Sequence, residues 1–246
     1  MAAELVNLKV DVIVAPGPPV IVAAQKATST IPIVMTTSID PVDAGWVKSL
    51  AHPGGNITGV SNLSGEIGPK HLEMVLAIAP QAARVAVLVN PANTAHTTLL
   101  KSIEAAAQKK KVKILPAQAQ TLKEIETAIA AMSRQNAGAI IVTLDSLFIQ
   151  ERRRIVEVIA KHRLPSIATF REFAEEGGLI SYGQNLAAQF RYISVIVAKI
   201  LKGAKPSDLP VEQSIKFDML INGKTAKALG LKIPQSLLIS ADKVID

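Results

Sequence analysis

Polar residues that can bind a charged small molecule follow several apolar segments of this sequence. Three hydroxyls and a carboxylate follow the segment IPIVM, at Thr36, Thr37, Ser38 and Asp40. A second carboxylate, Asp145, follows the segment AIIVTL. A carboxylate in such a position can accept hydrogen bonds from a ligand ammonium or hydroxyl group. It can equally cap the helix that follows, so both interpretations stay open for Asp40 and Asp145.

Two other apolar segments end where a helix is expected to begin. The segment RVAVLV is followed by Asn93 and Thr94, which can cap a helix, and VDVIVA is followed by Pro16, Gly17 and two further prolines. A helix N-terminus offers free amide groups and the positive end of a dipole, so both loops are candidates for holding a ligand carboxylate. The alternatives are a cap alone at Asn93 or Thr94 and a stiff strand-to-helix turn at Pro16 and Gly17.

Two aromatic residues lie close to these loops. Phe170 follows a further apolar segment, and Tyr182 belongs to the segment SYGQN. Their rings can form an apolar wall for a ligand. The alternative is that both rings belong to the hydrophobic core.

The sequence contains none of the motifs that would indicate catalysis or a cofactor. It has no GxGxxG or GxxxxGK[ST] pattern for a nucleotide and no GxSxG elbow. It has no cysteine, and its four histidines lack metal-ligand spacing. We therefore expect no catalytic residue, no cofactor and no metal.

Composition indicates a globular protein. The chain has 246 residues, of which 49% are hydrophobic and 19% charged, and this length allows two lobes. The net charge is +7, but the one dense basic cluster, Lys109 to Lys113, lacks the interleaved aromatic residues that stack on bases. We expect this cluster at a helix C-terminus and no nucleic-acid partner. No apolar stretch is long enough to span a membrane.

Short apolar segments alternate with amphipathic segments along most of the chain. The apolar segments are continuously hydrophobic, which is typical of parallel strands covered on both faces by helices. The segments between them have the helical period, as at Leu122, Ile125, Ile129 and Met132. The pattern predicts an α/β fold built from doubly wound parallel sheets. Ligands of such sheets bind beyond the carboxyl ends of the strands, where the polar residues above lie.

Two segments rich in small and polar residues resemble connections between lobes. They are 52–64 (HPGGNITGVSNLS) and 181–185 (SYGQN). We assign residues 62–183 to a second lobe. We assign residues 1–61, with about 184–246, to a first lobe and a tail that crosses the hinge.

Several long stretches resemble the ABC transporter substrate-binding proteins related to the tryptophan/tyrosine-type uptake proteins. The matching stretches are TIPIVMTTSIDP, AHPGGNITGVS, RVAVLVNPAN, FAEEGGLISYG, ILKGAKPSDLP and the tail from Phe217 to Asp246. The resemblance implies a type I periplasmic-binding fold, in which two lobes close on a solute. It places Asp40 and the loop of Pro16 and Gly17 on the first lobe's cleft edge.

The same resemblance extends the set of candidate ligand-binding residues. It places Asn93, Thr94 and Asp145 on the second lobe's cleft edge, and Tyr182 and Gln184 near the hinge. With Ser38, Ser61 and Phe170 these complete the expected ligand-binding set. The expected ligand is an amino acid, and the expected partners are an ABC permease and its ATPase.

The chain departs from the family pattern at its start. Family members normally begin with a signal peptide or lipobox and about two further βα units, whereas Met1 here lies inside what should be the helix before the segment VDVIVA. We therefore expect a shortened first lobe, whose exposed sheet edge favours a homodimer. The family location is periplasmic or lipid-anchored, and cytoplasmic if no signal is present. A ligand-sensing regulatory domain and a flavodoxin-like or Rossmann-like enzyme are the alternative functions.

Overall fold

The computed structural model describes residues 2–37, 41–62, 67–214 and 217–246. Their contacts divide the chain into two compact units. The first consists of Met1–Leu63 and Asn185–Lys216, and the second of Ser64–Gln184 and Phe217–Asp246. The chain therefore passes from one unit to the other three times.

Strands and helices alternate along most of the chain and are numbered here in chain order. The strands are β1 (Ile13–Pro16), β2 (Ile33–Thr37), β3 (Ile57–Asn62), β4 (Arg84–Val89), β5 (Lys113–Gln118), β6 (Ala139–Val142), β7 (Ser166–Ala168), β8 (Ile180–Gln184), β9 (Glu212–Ser214), β10 (Phe217–Asn222) and β11 (Lys243–Ile245). The helices are α1 (Ala2–Asn7), α2 (Pro18–Ala27), α3 (Ile67–Ile78), α4 (Thr94–Lys109), α5 (Leu122–Arg134), α6 (Ser146–Gln150), α7 (Arg152–Lys161), α8 (Arg171–Glu175), α9 (Leu186–Leu201), α10 (Gly223–Leu229) and α11 (Gln235–Ser240).

The first unit contains a parallel sheet in the order β1-β2-β3-β9. Ile13 and Ala15 of β1 pack with Ile21 of α2 on one face of this sheet. Val34 and Ile193 belong to a separate cluster, formed with α9 on the other face. Successive strand residues therefore point into different helical layers, as the period of two residues requires.

The second unit contains a seven-stranded sheet in the order β11-β10-β8-β7-β6-β4-β5. From β5 to β8 all neighbours are parallel. The chain first adds β5 on one side of β4 and then β6 on the other, so the strand order reverses between β4 and β6. This reversal creates a topological switch point, where the two following loops diverge from the sheet edge.

Helices cover both faces of the central strands, as the continuous apolar segments predicted. Ala86 and Leu88 of β4 belong to the core cluster that includes α5 and α7. Val85 and Val87 belong to the cluster that includes α3 and α4. Fully burying an aliphatic side chain contributes about 1.5–3 kcal/mol, so these strands form the most firmly held part of the unit. The expected α/β fold with doubly wound sheets is confirmed.

The tail of the chain differs from the sequence prediction. We assigned about 184–246 to the first lobe and a hinge-crossing tail, but residues 217–246 belong to the second unit. The reason is that β10 pairs antiparallel with β8, and β11 then pairs parallel with β10. The unsatisfied backbone groups along β8 acquire partners in this way, and the apolar side chains of β10 become buried.

The predicted position of the basic cluster agrees with the structure. Helix α4 ends at Lys109, and Lys110 occupies its C-cap. The cationic side chains therefore lie at the negative end of the helix dipole. Within the described ranges, no helix is both long enough and apolar enough to cross a membrane.

His71 is a buried ionisable residue on α3. Its Nε2 lies 2.6 Å from the carbonyl oxygen of Tyr182, to which it donates. Burial lowers the pKa of His71 to about 4, against the smaller opposing effect of this hydrogen bond. The ring is therefore neutral in the folded protein at neutral pH.

We predict that His71 makes the protein less stable in mild acid. As the pH falls below 6.5, the unfolded chain takes up a proton at this position before the folded chain does, so the free energy of unfolding declines until the folded pKa near 4 is reached. Urea unfolding at neutral pH and near pH 5 measures this decline. Since one pKa unit corresponds to about 1.4 kcal/mol, wild type should lose about 2 kcal/mol more than His71→Gln, which keeps a donor but does not titrate. Equal losses in both proteins would contradict the prediction.

Candidate ligand-binding site

The loops after β4 and β6 meet at the switch point of the second unit, and Asp145 lies where they meet. Its side chain is nearly buried, with 8% of the residue surface exposed. Asn90 Nδ2 donates to Asp145 Oδ1 at 3.2 Å, and Asn93 Nδ2 donates to Oδ2 at 3.0 Å. The two asparagines, which follow β4, therefore hold a carboxylate that follows β6.

Asp145 also caps the short helix α6. The amide of Leu147 donates to its Oδ1 at 3.0 Å, and Asp145 has the extended backbone of an N-cap residue. The capping interpretation is thus confirmed, while the second carboxylate oxygen remains oriented towards Asn93. None of the ion pairs found among the described residues involves Asp145.

Asn93 connects this carboxylate to the N-terminus of α4. Its Oδ1 accepts from the amide of Ala95 at 3.2 Å, which makes it the N-cap, and Thr94 is the first helical residue. Helix α4 has 16 residues and no acidic residue in its first turn. The positive end of a long helix dipole therefore lies beside the Asp145 carboxylate.

His96 joins the same two loops and was not singled out from the sequence. Its Nδ1 accepts from the amide of Asn90 at 2.9 Å, and its Nε2 lies 3.0 Å from the carbonyl oxygen of Leu144. The ring is buried and stacks against Phe148, with centroids 6.3 Å apart. A lone histidine on a helix carries no sequence signal for this role. Both of its partners are backbone groups, and the two loops that supply them are distant from each other in sequence.

Tyr182 lies on β8, close to Gln184, where the first segment of the second unit ends. Its half-buried ring stacks on Phe217 of β10, with centroids 5.4 Å apart, and meets His71 edge-on at 6.0 Å. Gln184, the last residue of β8, pairs with Phe217 across the sheet and is also half-buried. Both residues leave part of their surface accessible for a ligand.

Phe170 lies in the core of the second unit. Only 2% of its surface is exposed, and its ring packs edge-on against Phe173 with centroids 6.0 Å apart. Of the two interpretations of this residue, the structure supports the core side chain. We therefore leave Phe170 out of the ligand site developed below.

The sequence leaves two interpretations open for the loop of Pro16 and Gly17, namely free amides for an anion or a stiff turn. Pro18 and Pro19 have no N–H group. The next two amides, of Val20 and Ile21, already donate to the carbonyl oxygen of Gly17. The first turn of α2 is thus a stiff strand-to-helix turn, in which Gly17 adopts a positive φ of 83°.

The remaining candidates belong to the first unit. Ser38 and Asp40 lie outside the described residues. Ser61 lies near the end of β3, where it is 3% exposed and pairs with Gln213 of β9. Ser61 therefore follows the expected rule that the site residues lie near the carboxyl ends of strands.

The described part of the chain contains no cluster of three or more metal-ligating side chains. A surface cleft of about 330 Å³ lies between α5 and α7, lined in part by Glu126, Arg154 and Glu157. Arg154 pairs with both glutamates, and these hydrogen bonds raise its pKa. These three charges thus satisfy one another, and the cleft lies on a helical layer rather than at the strand ends.

Comparison with known proteins gives a family match over the whole chain. The profile of the family described as ABC transporter substrate binding protein matches residues 1–245. A tyrosine-binding protein of Clostridioides difficile (strain R20291) is 29% identical over 245 residues, covering 99% of this chain and 68% of that protein.

Solved structures are also similar to this chain over nearly its full length. The ABC domain in complex with L-Trp from Streptococcus pneumonia has a TM-score of 0.86 and 28% identity, covering 100% of this chain and 82% of that one. A conserved domain protein from Vibrio cholerae also has a TM-score of 0.86, with 29% identity, covering 99% of this chain and 81% of that one.

Proposed function

Because this chain belongs to the ABC transporter substrate-binding protein family, we propose that it binds an aromatic L-amino acid and delivers it, unconverted, to an ABC permease and its ATPase. The observation that carries the choice of ligand is the nearly buried Asp145 carboxylate beside the N-terminus of α4. The names of its relatives support the same class, since one is called tyrosine-binding and another was solved with L-Trp.

Asp145 suits the ammonium group of the ligand. A carboxylate has about four acceptor positions, and the described protein groups supply three donors, from Asn90, Asn93 and Leu147. A buried carboxylate without a cation is costly unless further donors compensate its lost hydration. A ligand ammonium supplies both the missing donor and the opposite charge.

The N-terminus of α4 suits the carboxylate of the ligand. Its dipole favours an anion, and the hydroxyl of Thr94 is a further donor at the first helical position. Asn93 touches Asp145 and caps α4, so the acidic and the positive position are neighbours. An α-amino acid carries its ammonium and carboxylate on one carbon, and this arrangement of opposite charges complements it.

The aromatic portion of the ligand is assigned to Tyr182. Its ring is held by Phe217 and His71 yet remains partly exposed, so it can stack on a planar side chain. We propose that the ligand also contacts the first unit, through Gly17, Ser38, Asp40 or Ser61, and that ligand binding closes the two units about the three chain crossings. The site of action is proposed to be outside the cytoplasmic membrane.

We predict that the ammonium–Asp145 pair dominates affinity. Isothermal titration should give binding of L-tryptophan or L-tyrosine to wild type, and these ligands should raise the melting temperature. Asp145→Asn keeps the helix cap but removes the charge, so affinity should fall roughly 30-fold or more. Asp208→Asn, at a surface turn, is the matched control and should leave affinity unchanged.

The ligand itself gives a second arm of this experiment. The analogue 3-(indol-3-yl)propionate lacks the ammonium and should bind wild type as weakly as L-tryptophan binds Asp145→Asn. Equal affinity of wild type for L-tryptophan and this analogue would disprove the assignment of Asp145. Absence of any amino-acid binding by well-folded protein would disprove the proposed ligand class.

We further propose that two copies associate through β1. Among the described strands, β1 pairs only with β2. The amide of Ile13 donates towards β2, to Pro32, so the backbone groups of Val12 and Val14 point to the free edge. Val14 is 43% exposed, on the sheet face next to α9. Pro16 lacks an N–H group, which limits the available edge to a short segment.

Sedimentation velocity over a concentration series tests this association. We expect a dimer for wild type and for the control Val244→Lys, which alters an exposed valine of the second unit. We expect a monomer for Val14→Lys, because an edge lysine opposes strand pairing. A wild-type protein that stays monomeric at all concentrations would contradict the proposal.

A further inference from the structure

The side chain of His96 bonds the backbone of both loops at the switch point. Its Nδ1 accepts from the amide of Asn90, in the loop after β4, at 2.9 Å. Its Nε2 lies 3.0 Å from the carbonyl oxygen of Leu144, in the loop after β6. Only 4% of the residue is exposed. The ring therefore spans the gap that the reversal of strand order leaves.

These two contacts determine the protonation of the ring. An amide nitrogen only donates, so the Nδ1 that faces Asn90 carries no proton. A carbonyl oxygen only accepts, so the Nε2 that faces Leu144 carries one. The contacts thus require the neutral ring with its hydrogen on Nε2.

The residues that His96 holds are directly connected to the proposed ligand groups. The backbone amide of Asn90 donates to His96, and the side chain of Asn90 donates to Asp145. Leu144, to which it donates, immediately precedes Asp145. A change at His96 therefore alters the distance between Asp145 and the asparagines that hold it, although His96 itself is bonded to neither carboxylate oxygen.

We propose that His96, with its ring hydrogen on Nε2, is a positioning residue of the ligand site. This inference rests on the proposed function. Loss of either contact releases the ring from one of the two loops, so the distance between Asp145 and Asn90 is no longer fixed.

Two substitutions separate the two contacts. His96→Asn places an acceptor near the position of Nδ1, so it keeps the bond to Asn90 and loses the bond to Leu144. His96→Gln places a donor near the position of Nε2, so it does the reverse. Both substitutions leave Asp145 in place.

The first readout is ligand affinity at neutral pH, with L-tryptophan as the probe. Both variants should bind roughly five- to tenfold more weakly than wild type, because each frees one of the two loops that hold Asp145. Wild-type affinity in both variants would overturn the proposal.

The second readout does not need a ligand. Nitrogen-15 spectra of the histidine rings should show His96 with its proton on Nε2 at neutral pH, and exchange of the Asn90 amide should accelerate in His96→Gln but not in His96→Asn. A ring protonated on Nδ1, or unchanged Asn90 exchange in His96→Gln, would overturn the positioning role. If wild type passes these tests but binds no amino acid, the proposed ligand fails while the loop-holding role of His96 stands.

Discussion

The reversal of strand order between β4 and β6 is the constraint on which the proposed ligand site of this protein depends. Neighbouring parallel strands are held by backbone hydrogen bonds, but the loops that follow β4 and β6 leave the sheet in different directions. The polar groups at this opening lie largely away from water and need partners. The structure supplies them from Asn90, Asn93, His96 and Asp145, which bond one another or the backbone of the opposite loop.

The same bonds stabilise the protein and orient the groups of the proposed ligand site. Asp145 caps α6 and Asn93 caps α4, and caps of this kind stabilise a protein by about 1 kcal/mol each. The two caps also bond each other, so the starts of two helices are fixed relative to one another. The charges of the proposed site are thus already oriented, and a ligand bound there would lose less binding energy in ordering side chains. The fold therefore makes the site rigid where the proposed ligand head group lies.

The sequence predicts much of this arrangement, because the signals involved are local. Continuous apolar segments identify the buried strands, and Asn93 and Asp145 are recognisable cap residues directly after such segments. The bond between Asn90 and Asp145 joins residues 55 positions apart, and only the pairing of β4 with β6 makes it possible. His96 is unrecognisable for the same reason. The return of β10 into the second unit likewise depends on its pairing with β8, a contact between distant segments that no local pattern reveals.

The loop after β1 shows that one local signal can fit two different structures. Glycine followed by proline correctly indicates a helix start, and helix starts commonly bind anions. Yet Pro18 and Pro19 have no N–H, and the carbonyl oxygen of Gly17 accepts the next two amides. The helix starts of α2 and α4 thus differ in what they offer a ligand.

The most direct test of the account is a crystal structure of the protein grown with L-tryptophan. The account predicts the ligand ammonium about 3 Å from a carboxylate oxygen of Asp145 and the ligand carboxylate at the start of α4. A ligand whose ammonium is bound by other groups, with Asp145 bonded only to Asn90, Asn93 and Leu147, would contradict it.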